Sequence, residues 1–166
     1  MKLNKIILSF VSALVILFST SVASFAKVVG DKIILGAAIS LTGKYSSNGV
    51  HTQNGYNMAV DRINSMGGVK VGGKTYMFDI IYYDDESNPK RAAQLAERLI
   101  SQDGVEFMLG PYSSGLTKAI APVTEKYGVP MVEANGASRS LFTKGYKYLF
   151  AAVSYTHLTL PTILLV

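Results

Sequence analysis

Cysteine is absent from the 166-residue sequence, and only two histidines occur in it. Without cysteine the chain has no disulfide framework, no thiolate metal site and no cysteine for lipid attachment. Within residues 27–152 the one histidine is His51. A Ser-His-Asp triad would therefore need a base from outside this segment. We expect no metal and no cofactor.

Charge of one sign is not concentrated anywhere in the chain. Lysine and arginine number 16 and aspartate and glutamate number 11, which gives a formal net charge of +5. Lys2 and Lys5 belong to the leader described below, so the remaining chain is only mildly basic and contains no basic run. Nucleic-acid binding requires clustered positive charge. We therefore expect no nucleic-acid partner.

Residues 1–26 have the three parts of a cleaved export signal. Lys2 and Lys5 supply a positive start, residues 6–18 form an apolar run, and Ser24-Phe25-Ala26 is a small-x-small cleavage site. The apolar run is shorter than the roughly 20 residues that span a bilayer, which disfavours a membrane anchor. We expect cleavage after Ala26 and a periplasmic location.

The tail at residues 153–166, VSYTHLTLPTILLV, does not continue the pattern that precedes it. Its back-translation resembles a transposase sequencing adapter, so we expect this tail to be a library artefact. The alternative is an ordinary threonine-rich strand. The expected folded unit is residues 27–152, which is long enough for one domain with its own core.

Strand and helix signals alternate along this unit. The nearly continuous apolar run at 32–39 is typical of a parallel strand buried on both faces. A hairpin with a Gly72-Gly73 turn is predicted at 69–83. The remaining segments are helices within 50–68, 87–104 and 113–128, and strands at 105–110, 129–134 and 146–152. This order predicts an α/β fold with a doubly wound parallel sheet, Rossmann- or flavodoxin-like.

In such sheets ligands bind beyond the carboxyl ends of the strands, where the strand order reverses. Four loops follow strands at this edge: 40–49, 84–88, 110–115 and 134–138. For a 2-1-3-4 strand order the reversal lies between the loops at 40–49 and 110–115. We therefore expect a ligand site there.

Known catalytic and phosphate-binding motifs are incomplete in the loops at this edge of the sheet. Ser113 and Ser114 are adjacent hydroxyls, but Pro111 and Tyr112 break the Gly-x-Ser-x-Gly nucleophile elbow. No glycine-rich phosphate motif follows a strand. The run Asp84-Asp85-Glu86 is interpreted as charge near the start of a helix rather than as a metal cluster. The remaining interpretation is that these loops bind a ligand without catalysing a reaction.

Two loops have complementary hydrogen-bonding character. Ser113 and Ser114 stand at a predicted helix N-terminus, where free N–H groups favour an anion; for both serines the alternative role is N-capping of the helix, which is compatible with ligand binding. The loop EANGAS offers carbonyl groups, the Asn135 amide and the Ser138 hydroxyl as acceptors for an ammonium group. Together they suit an amino-acid zwitterion.

Four stretches together carry a family resemblance: ILGAAISLTGKYSSNG, GYNMAVDRINSMGGV, YYDDESNPKRAAQLAERLI and MLGPYSSGLTKAIAPVTEKYGVPMVEANGAS. Over residues 32–150 the chain resembles the amino-terminal part of the Leu/Ile/Val-type periplasmic binding proteins of ABC transporters. The resemblance implies a type I periplasmic binding protein lobe, truncated before the second lobe. It further implies a monomeric, non-enzymatic receptor that captures an amino acid, an amide or a related small polar metabolite for a membrane permease.

The resemblance also assigns site residues. Ser114 matches the serine that holds the ligand carboxylate, and Asn135 and Ala137 match the positions that hold the amino group. Ala137 stands where threonine is common, so either Ser138 substitutes for it or the ligand differs.

The loop with Tyr45 and Asn48 matches the segment that covers the ligand side chain. Tyr112 matches a pocket-lining position, with packing beside the strand as the alternative. Two other functions stay open at this point: an extracytoplasmic ligand-sensing domain of a signalling system, and a hydrolase whose base lies outside the segment.

Overall fold

The computed structural model describes residues 28–152; the predicted signal at 1–26 and the predicted artefact at 153–166 lie outside the described residues. Within this range the chain forms seven strands, three α-helices and one 3₁₀ turn. They are β1 (Val28–Val29), β2 (Lys32–Ile39), α1 (Ser46–Ser65), β3 (Val69–Val71), β4 (Lys74–Asp84), α2 (Pro89–Ser101), β5 (Met108–Leu109), α3 (Ser114–Tyr127), β6 (Met131–Glu133), the 3₁₀ turn (Arg139–Leu141) and β7 (Leu149–Ala151).

The sheet has the predicted parallel core. Five strands pair in parallel in the order β4-β2-β5-β6-β7, which is 2-1-3-4-5 when the parallel strands are numbered along the chain. This confirms the reversal of strand order between β2 and β5. The predicted hairpin is also present, since β3 pairs antiparallel with β4. The sequence did not predict β1, which pairs antiparallel with β2.

Neighbouring residues of β2 show that helices cover both faces of the sheet. A side chain at Gly36 would meet Leu99 of α2. The next residue, Ala37, faces the other way and pairs with Tyr82, whose hydroxyl donates to Asn57 of α1 at 2.8 Å. The core between the sheet and α2 and α3 consists of buried apolar side chains, among them Ile34, Ala38, Ala92, Ala96, Leu99, Met108, Leu116, Ile120 and Met131.

Helix α2 forms as its sequence predicts. The Asn88 side chain accepts from the backbone N–H groups of Lys90 and Arg91, and Pro89 occupies the first turn, where its missing N–H costs nothing. Ala92, Ala96 and Leu99 on the predicted apolar stripe are fully buried. No helix within residues 28–152 is long and apolar enough to cross a membrane.

Helix α1 begins four residues earlier than the predicted start at Val50. Tyr45 precedes its first turn, and the Gly49 N–H bonds to the Tyr45 carbonyl at 2.8 Å. Val50 is 41% exposed although it is apolar, whereas Gly49 and Thr52 are buried. The reason is that Gly49 lets the helix approach the Ser40 backbone at the end of β2, which rotates Val50 outward.

The later strands are shorter than predicted. Within the segment 105–110, β5 comprises Met108 and Leu109, and the Val105 N–H bonds to the Leu99 carbonyl at the end of α2. Helix α3 continues through Pro122, which lies in its interior.

Candidate functional site

A cavity of about 470 Å³ lies at the carboxyl edge of the sheet, where the strand order reverses. Three segments form its wall: helix α1, the loop after β5 and the loop after β6. The lining residues are Asn48, His51, Thr52, Gly55, Tyr56, Tyr112, Ala134 and Asn135. The cavity therefore brings together residues that are as many as 87 positions apart in the chain (48 to 135).

One face of α1 provides most of the polar wall. Thr52 lies one turn after Asn48 and donates to its carbonyl at 2.9 Å. The Asn135 amide then donates to the Thr52 hydroxyl at 3.2 Å, which joins the loop after β6 to the helix. One turn further along, the Tyr56 hydroxyl donates to the Gly110 carbonyl at 2.7 Å. Helix α1 is thus hydrogen-bonded to both other walls.

Tyr56 is a neutral hydrogen-bond donor in this arrangement. Burial is the main cause that raises the pKa of its hydroxyl far above its usual value, and the nearby Glu133 carboxyl raises it further. The hydroxyl therefore keeps its proton for Gly110 at any physiological pH.

Ser113 caps helix α3 in a strained backbone conformation. Its hydroxyl accepts from the Leu116 N–H at 3.3 Å, and its carbonyl accepts from the Thr117 N–H at 3.1 Å. Its φ of +84° lies in a region that L-residues rarely adopt, at a cost of about 1–3 kcal/mol. Because the Ser113 hydroxyl accepts from the Leu116 N–H, its role in the structure is to cap the start of α3.

Ser114 joins the two predicted ligand loops. Its hydroxyl oxygen accepts from the Ser138 N–H at 3.0 Å. A hydroxyl that accepts this bond retains its own proton, so Ser114 can still donate to a ligand. Within residues 28–152, neither Ser113 nor Ser114 is hydrogen-bonded to a histidine or a carboxylate, so nothing described here activates either hydroxyl as a nucleophile.

The two predicted tyrosines pack against each other. The rings of Tyr45 and Tyr112 meet edge to face with centroids 5.7 Å apart. Tyr112 lines the cavity, whereas Tyr45 is half-buried behind it and packs against the core. The Tyr45 N–H donates to the Ser87 hydroxyl at 3.0 Å, which fixes the start of α1 to the loop after β4.

Asp84 and Asp85, which precede the start of α2, also hold the loop after β2. Asp84 accepts from the Thr42 hydroxyl at 2.7 Å and from the Thr42 N–H at 3.1 Å. Asp85 is fully buried and accepts from the Ser40 hydroxyl at 2.6 Å and the Ser87 N–H at 2.8 Å. Burial raises the pKa of Asp85. The described part of the chain contains no cluster of three side chains suited to a metal.

Of the eight predicted contact residues, the structure places three on the cavity wall: Asn48, Tyr112 and Asn135. Tyr45 packs against Tyr112 of the wall but does not itself line the cavity. Ser113, Ser114 and Ser138 also lie outside the wall: the first two directly follow Tyr112 in the chain, and Ser138 is bonded to Ser114. Ala137 is exposed and does not line the cavity.

Sequence reasoning missed His51, Thr52, Gly55, Tyr56 and Ala134. The available signal was the spacing of Asn48, Thr52 and Tyr56, which places them on one helical face. That signal is hard to recognise, because a tyrosine at helical spacing is also typical of the apolar face of a helix.

A family model described as periplasmic binding protein matches residues 32–164. The chain belongs to the periplasmic binding protein family. A leucine-, isoleucine-, valine-, threonine- and alanine-binding protein of Pseudomonas aeruginosa is 28% identical to it over 143 residues, which are 85% of this chain and 37% of that protein.

Solved structures of this family share the fold. The branched-chain amino acid transporter substrate binding protein of Streptococcus pneumoniae, in complex with isoleucine, has a TM-score of 0.65 and 32% identity over 72% of this chain and 33% of that chain. An ABC transporter solute binding protein from R. palustris, in complex with 4-hydroxybenzoate, has a TM-score of 0.60 and 30% identity over 73% and 31% of the two chains. This periplasmic binding protein chain thus spans about a third of the length of these relatives.

Proposed function

We propose that this chain forms one wall of the ligand site in the substrate-binding component of an ABC transporter. The protein captures a branched-chain or other amino acid, or a related amide or small carboxylate, in the periplasm and delivers it to a membrane permease. No covalent bond is made or broken. The observation that supports this proposal is the cavity at the strand-order reversal, which three separate segments line with hydroxyl, amide and aromatic groups.

The polar groups around the cavity suit a small dipolar molecule. The N-terminus of α3 presents free backbone N–H groups and the proton of Ser114, which favour a carboxylate. The amide nitrogen of Asn135 is bonded to Thr52, which leaves its amide oxygen to accept from an ammonium or amide group. Charge-assisted hydrogen bonds of this kind are roughly twice as strong as neutral ones.

We propose Ser114, Asn135, Asn48 and Tyr112 as ligand contacts. Ser113, Ser138 and Tyr45 position them through the bonds described above, and His51 joins the contacts because it lines the same cavity. Ala137 is exposed and has no side-chain hydrogen-bonding group, so the Ser138 segment, which is bonded to Ser114, takes its place.

An aromatic carboxylate is the second candidate ligand. The relative crystallised with 4-hydroxybenzoate shares 30% identity with this chain, and Tyr112 presents an aromatic ring at the cavity wall. Offset or edge-to-face packing on this ring would hold a benzoate. Leucine, isoleucine, an aliphatic amide and 4-hydroxybenzoate therefore form the test panel.

Binding by residues 27–152 alone is expected to be weak. One lobe contacts only one side of a ligand, so we expect a Kd nearer to about 1 mM than to about 1 μM. Two-dimensional NMR of the ¹⁵N-labelled protein detects binding in this range. Shifts confined to amides around the cavity and the start of α3 are the expected result; calorimetry that gives micromolar affinity would contradict the weak-binding expectation.

Substitution of Ser114 tests the site itself. Ser114→Ala removes a donor to a charged group, a loss of about 1.5–3 kcal/mol, so affinity should fall by about tenfold or more. Ser101→Ala is the matched control, because Ser101 is exposed near the end of α2 and bonds only to its own helix. Equal affinities for the two variants, or no shifts with any panel member, would overturn the proposal.

A further inference from the structure

Glu133 lies directly beneath the two loops of the candidate site. It ends β6, its side chain is 1% exposed, and its Oε1 accepts from the backbone N–H groups of Asn135 and Gly136. Its Oε2 is hydrogen-bonded to the hydroxyl of Thr117, one turn into α3. A side chain at Gly110 or Gly136 would meet Glu133 atoms at 2.6 or 2.9 Å, so the surrounding backbone is packed closely around this carboxyl group.

A count of protons around Thr117 indicates the protonation state of this carboxyl group. The Thr117 hydroxyl has a single proton, yet it lies within hydrogen-bond distance of two oxygens, the Ser113 carbonyl at 3.0 Å and Glu133 Oε2. If Glu133 is ionised, one of the two contacts has no proton. If Oε2 carries a proton, it donates to Thr117, and Thr117 donates to Ser113. Every contact is then satisfied.

The surroundings also disfavour a charge at Glu133. Within residues 28–152, no lysine, arginine or histidine pairs with this carboxyl group. The elements packed against it contribute Thr117, Asn135, Gly136 and Ala152, none of which titrates, and α1 contributes Tyr56, whose proton is retained. Burial raises the pKa of Glu133, although the hydrogen bonds from Thr117, Asn135 and Gly136 oppose the rise.

We propose that Glu133 is a neutral carboxylic acid that positions the Asn135–Gly136 loop against the first turn of α3 and so sets the geometry of the ligand site. Its effect on ligand affinity rests on the function proposed above. Its protonation and its hold on the loop do not. Glu133 is a positioning residue, since it lines no part of the cavity and acts through Asn135 and Ser113.

The test compares Glu133→Gln with Glu133→Ala in the full chain. The glutamine oxygen can accept from both N–H groups and its NH₂ can donate to Thr117, so Glu133→Gln should retain the Asn135 and Gly136 amide resonances and the ligand affinity. Glu133→Ala removes all three bonds, and affinity for the ligand bound best in the panel should fall by about tenfold or more. Glu97→Gln, at an exposed carboxylate in α2, is the matched control.

A readout without ligand separates this proposal from the proposed function. The ¹³C carboxyl resonance of Glu133 should show a protonated acid at the pH of the binding measurement, and the Asn135 and Gly136 amides should move as Glu133 ionises when the pH is raised. In Glu133→Gln this movement is absent. If Glu133→Ala does not fold, Thr117→Val takes its place, since it removes only the hydroxyl link and should shift the same two amides.

Each outcome decides one of the two claims. A Glu133 carboxyl that is already ionised at the pH of the binding measurement overturns the positioning proposal, whatever the ligand does. Glu133→Gln that binds as poorly as Glu133→Ala also overturns it, while the proposed function stands. If Glu133 is protonated and the variants shift the Asn135 and Gly136 amides as expected, but the protein binds no panel ligand, the proton assignment is supported and the proposed function is overturned.

Discussion

Replacement of Gly49 by alanine should separate helix α1 from the edge of the sheet. A Cβ at this position would lie 1.7 Å from the Ser40 carbonyl oxygen, whereas ordinary contacts begin at 3.4 Å. The contacted atom is backbone, so no side chain can rotate away. The helix must therefore retreat by roughly 1.7 Å, which moves Asn48 and Thr52 out of the cavity wall.

The expected cost follows from two opposing effects. Overpacking costs about 1–3 kcal/mol, with the upper end expected for a backbone contact, and alanine gains about 1 kcal/mol over glycine in a helix. The free energy of unfolding of Gly49→Ala should therefore fall by about 2 kcal/mol. Gly55→Ala is the matched control, since it makes the same change in the same helix with no atom within 4 Å. It should gain about 0.5–1 kcal/mol.

Urea unfolding followed by far-ultraviolet circular dichroism measures both changes by linear extrapolation. The two alanines should shift the midpoint in opposite directions, with a gap of about 3 kcal/mol between the variants. If Gly49→Ala stabilises the protein as much as Gly55→Ala does, the close packing of α1 on Ser40 is not present in solution, and the reasoning about how the cavity wall is positioned fails with it.

Two further measurements test the loops around the site. Ser113→Gly relieves the strain of the positive φ and loses only a few tenths of a kcal/mol of capping, whereas Ser113→Ala keeps the strain and loses about 1 kcal/mol of capping. The urea midpoint of Ser113→Gly should therefore be higher than that of Ser113→Ala. The reverse order would show that Ser113 is unstrained. For Asp84, burial raises the pKa, but bonds from the Thr42 hydroxyl and from backbone N–H groups outweigh it and leave the pKa below its usual value. Its folded pKa lies under the unfolded one, so its stabilising contribution is complete above about pH 3.8 and is lost as pH falls through the folded value. Stability measured between about pH 6 and pH 2 should decline less for Asp84→Asn than for the unmodified chain, and parallel curves would contradict this role.

The sequence by itself determined the alternation of strands and helices from β2 to β7, although it did not predict β1. Local signals sufficed for α2, because Asn88, Pro89 and the stripe of Ala92, Ala96 and Leu99 act within the helix that they form. The alternation of strands with helices then implied parallel pairing and a reversal beside β2, because a right-handed crossover leaves few other arrangements.

Only the tertiary structure decided where helix α1 begins and which of its faces meets the cavity. The close approach of Gly49 to Ser40 sets the rotation of that helix, and no local preference of the sequence carries this information. The same holds for Glu133, an ordinary strand residue in the sequence that becomes a buried support when the turn after β6 folds back over it. Propensity and periodicity describe a segment on its own. The Gly49–Ser40 contact instead packs a helix against the end of a strand, and Glu133 is enclosed by α3 and by the turn after β6, so both arrangements exist only once the sheet and its helices have assembled.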